Sequence, residues 1–433
     1  MTRPAVVPRD QHTLSRSRID SDALKVLYRL HQNDYVSYLV GGSVRDLLLG
    51  RHPKDFDLGT SAHPHQVKRL FRNCWVIGRR FRLAHVRYGT KTIEVATFRR
   101  QLTAEERAAA DERATAEPPP VAGEGKRRRT LTPRDNTFGT PKEDAFRRDF
   151  TVNALFYDIG TFSIIDYTGG LADLAEGVIR CIGDPVERFE EDPVRMWRAV
   201  AMAARLGFRI DPPIDSAIAS RRAALATSSP ARLIEECYKL LRTGASETAF
   251  QMMAERKLLG PLSADLQRGA ATPLWRSLAA LDDYRRRFTD TPNTLTNPIL
   301  LGSLLAPLEH SALATRRKPV AEGEFLKEPA LTLGLLPLAR RDVERLRQVL
   351  SLQHRLRDPG LSPRAQRGLA HRAAFPDALT WLEIHGGDPG LVERWRELAA
   401  ANSSPSTSVE ADPTPRRRRR GRRRRRPSGG TTP

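Results

Sequence analysis

The 433-residue sequence has few cysteines and no long apolar run. Its three cysteines, Cys74, Cys181 and Cys237, lie at no metal-binding or disulfide spacing, which argues against a zinc site and against a disulfide-stabilised fold. No apolar run approaches the roughly 18 residues that a transmembrane helix requires. The N-terminus also lacks the apolar segment of a secretory signal. We therefore expect a cytoplasmic protein with no membrane span.

Acidic residues are also in deficit, since 51 Asp and Glu face 72 Lys and Arg and the net charge is +21. Such an excess indicates a polyanionic partner, most simply nucleic acid. Ten of the arginines form one block at 416–420 and 422–426, and removing these ten charges from +21 leaves +11 on the rest. Both the block and the remaining chain are therefore basic.

The length predicts two to three domains. Short apolar runs and turn residues between 36 and 100 indicate a small α/β domain, with a hairpin formed by 82–88 and 92–98. Helical spacing dominates after 185. The predicted divisions are a lead-in helix at 1–35, a head at 36–160 with a surface insertion at about 103–133, a helical neck at 161–260, a helical body at 261–401 and a disordered tail at 402–433.

The segment Asp55-Phe56-Asp57 is the sharpest local feature. In a strand the two carboxylates would point to one face and repel each other unless a cation lay between them. Mg²⁺ binds carboxylate oxygens and keeps positions for water or substrate phosphates, which suits nucleotidyl transfer. Glu94, in the apolar run 92–96, is a candidate third carboxylate of a two-metal site. Two alternatives to a metal site remain. Asp55 and Asp57 could lie in a solvated loop, and Glu94 could be an outward-facing residue of an amphipathic strand.

The glycines Gly41 and Gly42 separate a predicted strand from a predicted helix that contains Arg45. Backbone amides in such a turn, beside an arginine, can bind an anion such as a triphosphate. A plain strand-to-helix turn is the simpler interpretation of the two glycines.

Two charged clusters, at 147–154 and 191–198, open apolar segments. Helix caps and salt bridges explain either cluster taken alone. Asp192 and Arg195 are three residues apart, so on one helix they would share a face and could present a hydrogen-bonding edge to a nucleobase.

Taken together, four segments resemble the head and neck motifs of the bacterial tRNA nucleotidyltransferase and poly(A) polymerase family. They follow the family order at 39–50, 54–57, 147–155 and 191–199. The resemblance covers about 36–260 and implies an α+β polymerase-β-like nucleotidyltransferase head with a hairpin-containing sheet, followed by an all-α neck and body. Within this family, further segments resemble the poly(A) polymerase branch. They are 71–86, 135–141, 229–236 and the arginine-rich tail.

The resemblance also implies roles for individual residues. Asp55 and Asp57 match the metal-binding pair, and Glu94 matches a third acidic position. The triphosphate would meet Gly41, Gly42 and Arg45. Arg148, Asp149 and Asn153 match a motif that contacts the nucleotide and its ribose, and Asp149 is also a candidate catalytic acid. The base would be recognised by Asp192, Arg195 and Arg198.

The expected reaction is template-independent addition of AMP from ATP to an RNA 3′ end, with two Mg²⁺ ions bound by Asp55, Asp57 and Glu94. The expected partners are RNA 3′ ends, ATP and proteins of RNA decay or RNA chaperoning, and the expected state is a monomer. A tRNA CCA-adding enzyme is the nearest alternative. A non-catalytic RNA-binding protein is a remote one, because such a protein has no reason to place three acids beside an anionic ligand.

Overall fold

The structure, a computed structural model, describes residues 3–78, 82–101, 106, 137–313 and 331–403. The predicted insertion at 103–133 lies outside the described residues except for Glu106. The predicted tail at 402–433 lies outside them beyond Ser403, where the last described helix ends.

The described part of the head is built on an eight-stranded sheet in the order β1-β8-β7-β2-β3-β6-β5-β4. Its strands are β1 (Ala5–Val7), β2 (Ser37–Val40), β3 (Leu58–Thr60), β4 (Cys74–Ile77), β5 (Leu83–Tyr88), β6 (Lys91–Thr97), β7 (Leu155–Asp158) and β8 (Ile164–Asp166). Strands β3 and β6 run parallel, and the other neighbouring pairs in this sheet are antiparallel. The predicted mixed α+β head is thus confirmed.

The hairpin predicted at 82–88 and 92–98 forms as β5 and β6, with Tyr88 opposite Lys91. Alternate residues on the two strands are buried, among them Val86 and Ile93. This buried face packs against α3 (Pro64–Leu70), and α1 (Ser21–His31) packs beside α3 and against β2 and β3. Because side chains alternate along a strand, the opposite face of the hairpin is turned to solvent.

The head sheet extends past the predicted limits of 36 and 160. The segment 1–35 contains more than a lead-in helix, because β1 pairs with β8 and forms an edge of the head sheet, with Ala5 opposite Asp166. The sheet therefore extends beyond 160. Strand β1 has only three residues and lies between Pro4 and Pro8, so it is too short to give an alternating pattern.

Helices account for most of the remaining described chain. The head also contains α2 (Gly42–Leu48) and α4 (Pro141–Arg147). The neck and body helices are α5 (Gly170–Glu176), α6 (Pro185–Glu191), α7 (Val194–Leu206), α8 (Pro212–Arg221), α9 (Pro230–Leu241), α10 (Ser246–Glu255), α11 (Ala264–Arg268), α12 (Thr272–Arg286), α13 (Asn297–Leu305), α14 (Arg340–Leu356), α15 (Pro363–Ala370), α16 (Phe375–His385) and α17 (Pro389–Ser403).

Two short strand pairs interrupt this helical part, which was expected to be all-α. Strand β9 (Val178–Ile179) pairs in parallel with β10 (Arg209–Ile210), and β11 (Thr332–Leu333) pairs with β12 (Leu336–Pro337). The core of the neck includes Trp197 of α7, which is buried edge-on against Phe250 of α10. Within the described ranges, no helix is long and apolar enough to cross a membrane.

Candidate active site

The paired carboxylates lie at the start of β3. Asp55 and Asp57 belong to an extended segment that ends where β3 begins, so their predicted place inside a strand is off by a few residues. The side chains nevertheless alternate between core and solvent as they would in a strand, because Phe56 is buried while both aspartates are exposed. The two carboxylates therefore point away from the core.

Glu94 of β6 is close to this pair. The parallel register sets Leu58 beside Val95, and one step back it sets Asp57 beside Glu94. Asp57 retains solvent contact, and its carboxyl is partly desolvated by the neighbouring protein. Burial of that carboxyl, together with the negative charges of Glu94 and Asp55, raises the pKa of Asp57 to about 6. The three acids thus form one repulsive cluster, which a cation would stabilise.

The donor set suits a hard cation such as Mg²⁺, because carboxylate oxygens are its preferred protein ligands. Among the described residues, neither Asp55 nor Asp57 forms an ion pair, so both carboxylates are available. The Glu94 carboxylate lies 3.7 Å from Nε2 of His85 on the neighbouring strand. In the same ranges no group of three or more His, Cys, Asp or Glu residues is arranged to hold a metal ion. Asp55 and Asp57 thus have carboxylates with no ion-pair partner among the described residues. The three expected ligands are not brought together there into one metal-binding group.

The glycine turn is shaped around Arg148. Gly41 has a φ of 72°, and a Cβ at this position would lie 2.8 Å from Nη1 of Arg148. That nitrogen donates to the backbone oxygen of Asn153 at 3.1 Å, while Nε and Nη2 donate to Asp144 at 3.2 and 3.0 Å. Burial alone would raise the pKa of Asp144, but Arg148 and Arg147 outweigh it and lower that pKa. Gly41 therefore leaves the space in which a firmly held guanidinium lies.

Arg45 is buried and fully engaged, which differs from the open position expected for a triphosphate contact. Its Nε and Nη2 atoms each lie 2.8 Å from Oδ1 of Asp46, and its Nη1 donates to the side chain of Asn153. The other oxygen of Asp46 pairs with Arg205 of α7. In the observed arrangement, Arg45 holds Asp46, and Asp46 joins α2 to the neck through Arg205.

Asp149 makes a second connection between head and neck. Its carboxylate pairs with Nη2 of Arg198 at 2.7 Å and accepts hydrogen bonds from the backbone N–H of Phe150 at 2.9 Å and from Nδ2 of Asn153 at 3.3 Å. Burial would raise the pKa of Asp149, but Arg198 and these donors outweigh it and lower that pKa. Asp149 is therefore held ionised by Arg198 and does not join the free carboxylates.

The expected helix face shared by Asp192 and Arg195 is not formed. Asp192 has extended backbone between α6 and α7, and Pro193 precedes the first turn of α7. Its two carboxylate oxygens bind Arg232 at 2.8 and 2.7 Å. Arg195 instead contacts Glu191 at 3.0 Å and the Arg188 carbonyl at 2.9 Å. The proline ended the helix that the spacing argument required.

Sequence reasoning missed several residues that hold the site. Asp144 could have been found, because it lies four residues before Arg148, a spacing at which opposite charges commonly pair near a helix end. Arg232, Asp46 and Arg205 left no such signal, since the partners Asp192 and Arg232 are 40 positions apart and Asp46 and Arg205 are 159 apart.

The structure thus has a mixed sheet with paired carboxylates beside a glycine turn, joined by ion pairs to a helical neck, which is the head-and-neck arrangement that the sequence resemblance implies. Three family models match the chain and make the class more specific. They are described as "Poly A polymerase head domain" at 37–180, "Probable RNA and SrmB- binding site of polymerase A" at 207–267 and "Polymerase A arginine-rich C-terminus" at 327–428. The chain belongs to the tRNA nucleotidyltransferase and poly(A) polymerase family, which confirms the resemblance found in the sequence.

Two curated relatives show how the chain compares within the family. It is 49% identical over 263 residues to Poly(A) polymerase I of Salmonella typhi, a match that covers 61% of this chain and 54% of the relative. It is 35% identical over 237 residues to a CCA-adding enzyme of Lactobacillus johnsonii, covering 54% of each. The matched region thus spans about half the length of these relatives.

Solved structures agree on the fold. The Bacillus stearothermophilus CCA-adding enzyme in complex with CTP has a TM-score of 0.55 at 24% identity, covering 88% of this chain and 82% of the other. A tRNA nucleotidyltransferase complexed with a primer tRNA and an ATP analogue has a TM-score of 0.54 at 22% identity, covering 88% of this chain and all of the other.

Proposed function

We propose that the chain is a polynucleotide adenylyltransferase, which transfers AMP from ATP to the 3′ hydroxyl of an RNA and releases pyrophosphate. The observation that carries the chemistry is the cluster of Asp55, Asp57 and Glu94, in which burial, together with the charges of Glu94 and Asp55, raises the pKa of Asp57 to about 6. The choice of substrate rests on the higher identity to a poly(A) polymerase than to a CCA-adding enzyme, 49% against 35%.

In this proposal Asp55 and Asp57 would hold Mg²⁺, with Glu94 as a third acidic group on the next strand. Bound Mg²⁺ supplies charge neutralisation for the reacting phosphates and a lower pKa for the attacking hydroxyl. The chain's own carboxylates contribute by keeping a concentrated negative charge that draws the cation to the start of β3.

The incoming nucleotide would lie between the glycine turn and the neck. The first amides of α2, which begins at Gly42, have no partner within their own helix and can meet the triphosphate. Arg148, fixed by Asp144 and Asn153, supplies a positive charge at the same turn. Asp192, Arg195 and Arg198 are proposed to read the base without a template.

The test is a nucleotide-addition assay with purified protein, an unstructured RNA and either ATP or CTP. We expect a long tail from ATP only, and loss of addition in Asp55→Ala and Asp57→Ala with the circular dichroism spectrum unchanged. Appreciable addition by either variant would contradict the carboxylate assignment. Lys54→Ala, an exposed neighbour, is the matched control and should retain addition.

A CCA-adding activity is the second candidate, because the fold matches solved CCA-adding enzymes. A tRNA that lacks its 3′ end distinguishes the two. Ordered addition of C, C and A to that tRNA, with no extension of the unstructured RNA, would replace the proposed polyadenylation.

A further inference from the structure

One row of side chains crosses the solvent face of the head sheet, starting at the carboxylates. The register sets Glu94 opposite His85 and His85 opposite Trp75, and the β3 and β6 pairing brings Asp57 beside Glu94. Neighbouring strands are about 4.8 Å apart, so three such steps place Trp75 about 14 Å from Asp57. The row therefore leads from the reacting centre to an exposed aromatic residue.

Trp75 is unusual for a tryptophan in a strand. It is 53% exposed, and Ile77 on the same face is 51% exposed, whereas Cys74 on the other face is buried. These two residues line a depression of about 400 Å³ together with His85, Arg87, Thr90 and Thr92. The Nε atom of Arg87 donates to the backbone oxygen of Gly89 at 2.9 Å, which orients this guanidinium.

An exposed aromatic ring beside a cation is the usual combination for binding single-stranded nucleic acid. A base stacks on the ring and the cation attracts the phosphate, with little dependence on sequence. The cation Arg87 also argues against a purely apolar partner for this depression.

The position of the row fits the acceptor strand. In an in-line displacement, the attacking hydroxyl and the leaving pyrophosphate lie on opposite sides of the reacting phosphorus. The glycine turn and Arg148, proposed to hold the triphosphate, adjoin β2 and β7 on one side of β3. Strands β6, β5 and β4 extend from the other side of β3. This arrangement leaves the side of β6, β5 and β4 for the attacking strand.

We propose that the face formed by Trp75, His85 and Arg87 binds the single-stranded 3′ segment of the acceptor RNA, with a base stacked on Trp75 a few nucleotides before the reacting end. This inference rests on the proposed function, because the direction of approach is set by the transfer reaction.

Binding without catalysis is the first test. The five tryptophans include three buried ones and the half-buried Trp275, so Trp75 is the one most open to a ligand. Oligoadenylate added without ATP or Mg²⁺ should quench the fluorescence of the wild-type protein. The quench should be lost in Trp75→Phe and kept in Trp275→Phe, the matched control.

Steady-state kinetics give the second test. Trp75→Ala should raise the KM for an oligoadenylate primer about 5- to 150-fold, the range expected when one base–aromatic stack is lost, and leave kcat nearly unchanged. Trp75→Phe should recover most of this loss. Phe288→Ala removes an exposed aromatic residue that follows α12 and should leave the primer KM at the wild-type value.

The outcomes separate this inference from the proposed function. Equal primer KM values for Trp75→Ala and the wild type, or an undiminished quench in Trp75→Phe, would overturn the inference alone. Failure of the wild-type protein to add nucleotides would overturn the proposed function, and the quench would still decide whether RNA binds this face. The wild-type protein could instead form dimers that the Trp75→Ala variant does not form. If RNA also caused no quench, β4 would be a self-association edge and the inference would be overturned.

Discussion

Asp149 and Arg198 form a 2.7 Å ion pair that joins the head to helix α7 of the neck. The carboxylate is buried, and the guanidinium is 38% exposed. This pair and the contact between Asp46 and Arg205 connect the proposed nucleotide site to the neck at two points.

Replacing Asp149 by Asn should destabilise the folded chain, because Arg198 keeps its charge and loses its partner. Breaking a fully buried pair costs about 3 to 5 kcal/mol, and the partial exposure of Arg198 reduces our expectation to about 1 to 3 kcal/mol. Urea unfolding at pH 7 measures the change. The control is Arg209→Gln, which breaks an exposed pair with Glu176 and should cost less than about 0.5 kcal/mol.

The same variant should have a defined pH dependence. Because the pKa of Asp149 lies below its ordinary value of 3.8, the pair's contribution is present above about pH 4 and is lost as the pH falls through the folded-state pKa. The difference in unfolding free energy between the wild type and Asp149→Asn should therefore be constant from pH 5 to 7 and shrink below pH 4. A difference that grows in acid would refute the assignment.

Gly41→Ala should damage the site through Arg148. The positive φ alone is unfavourable for alanine, and the added Cβ would also lie 2.8 Å from Nη1 of Arg148, which must move. We expect a cost of about 1 to 3 kcal/mol and an approximately tenfold or greater loss of kcat/KM for ATP. Gly50→Ala is a close control, because Gly50 also has a φ of 72° but has nothing within 4 Å of the added Cβ. Equal losses of activity in both variants would show that Arg148 is not the cause.

Arg195→Ala should weaken the choice of nucleotide more than the rate of transfer. Arg195 is held by Glu191 and the Arg188 carbonyl, so it presents a fixed edge at the start of α7. We expect a raised KM for ATP and a fall of about tenfold in the ratio of kcat/KM for ATP over CTP. Arg222→Ala removes a neck arginine that donates only to the Ala219 carbonyl in the described residues and should leave the ratio unchanged. A wild-type ratio in Arg195→Ala would exclude base recognition by this residue.

Deletion of 416–426, which lies outside the described residues, should change RNA capture and leave the chemistry intact. The segment carries ten arginines. If all ten meet phosphates, the salt dependence of log affinity flattens by as much as about 7. The kcat on saturating short primers should stay at the wild-type value. Deletion of 404–412, a stretch without basic residues, serves as the control, and an equal loss of salt dependence there would contradict this role.

The features that the sequence predicted well are local. The hairpin of β5 and β6 and the turn before α2 depend on neighbouring residues, and so do the outward positions of Asp55 and Asp57. Contacts between distant residues were not predictable. Arg232 donates hydrogen bonds to the carboxylate of Asp192, which lies 40 residues away in the sequence. The burial of Arg45 likewise has no signal in the spacing of residues along the chain.

The pairing of β1 with β8 has a consequence for synthesis of the chain. Ala5 finds its partner Asp166 only after about 160 further residues have been made, which takes roughly 8 to 32 seconds at 5 to 20 residues per second. Until then β1 lacks its partner strand, and its backbone groups can pair with another nascent chain. The last strand to join this sheet is thus the first one made, and translation rate should influence how much of the protein reaches its native state.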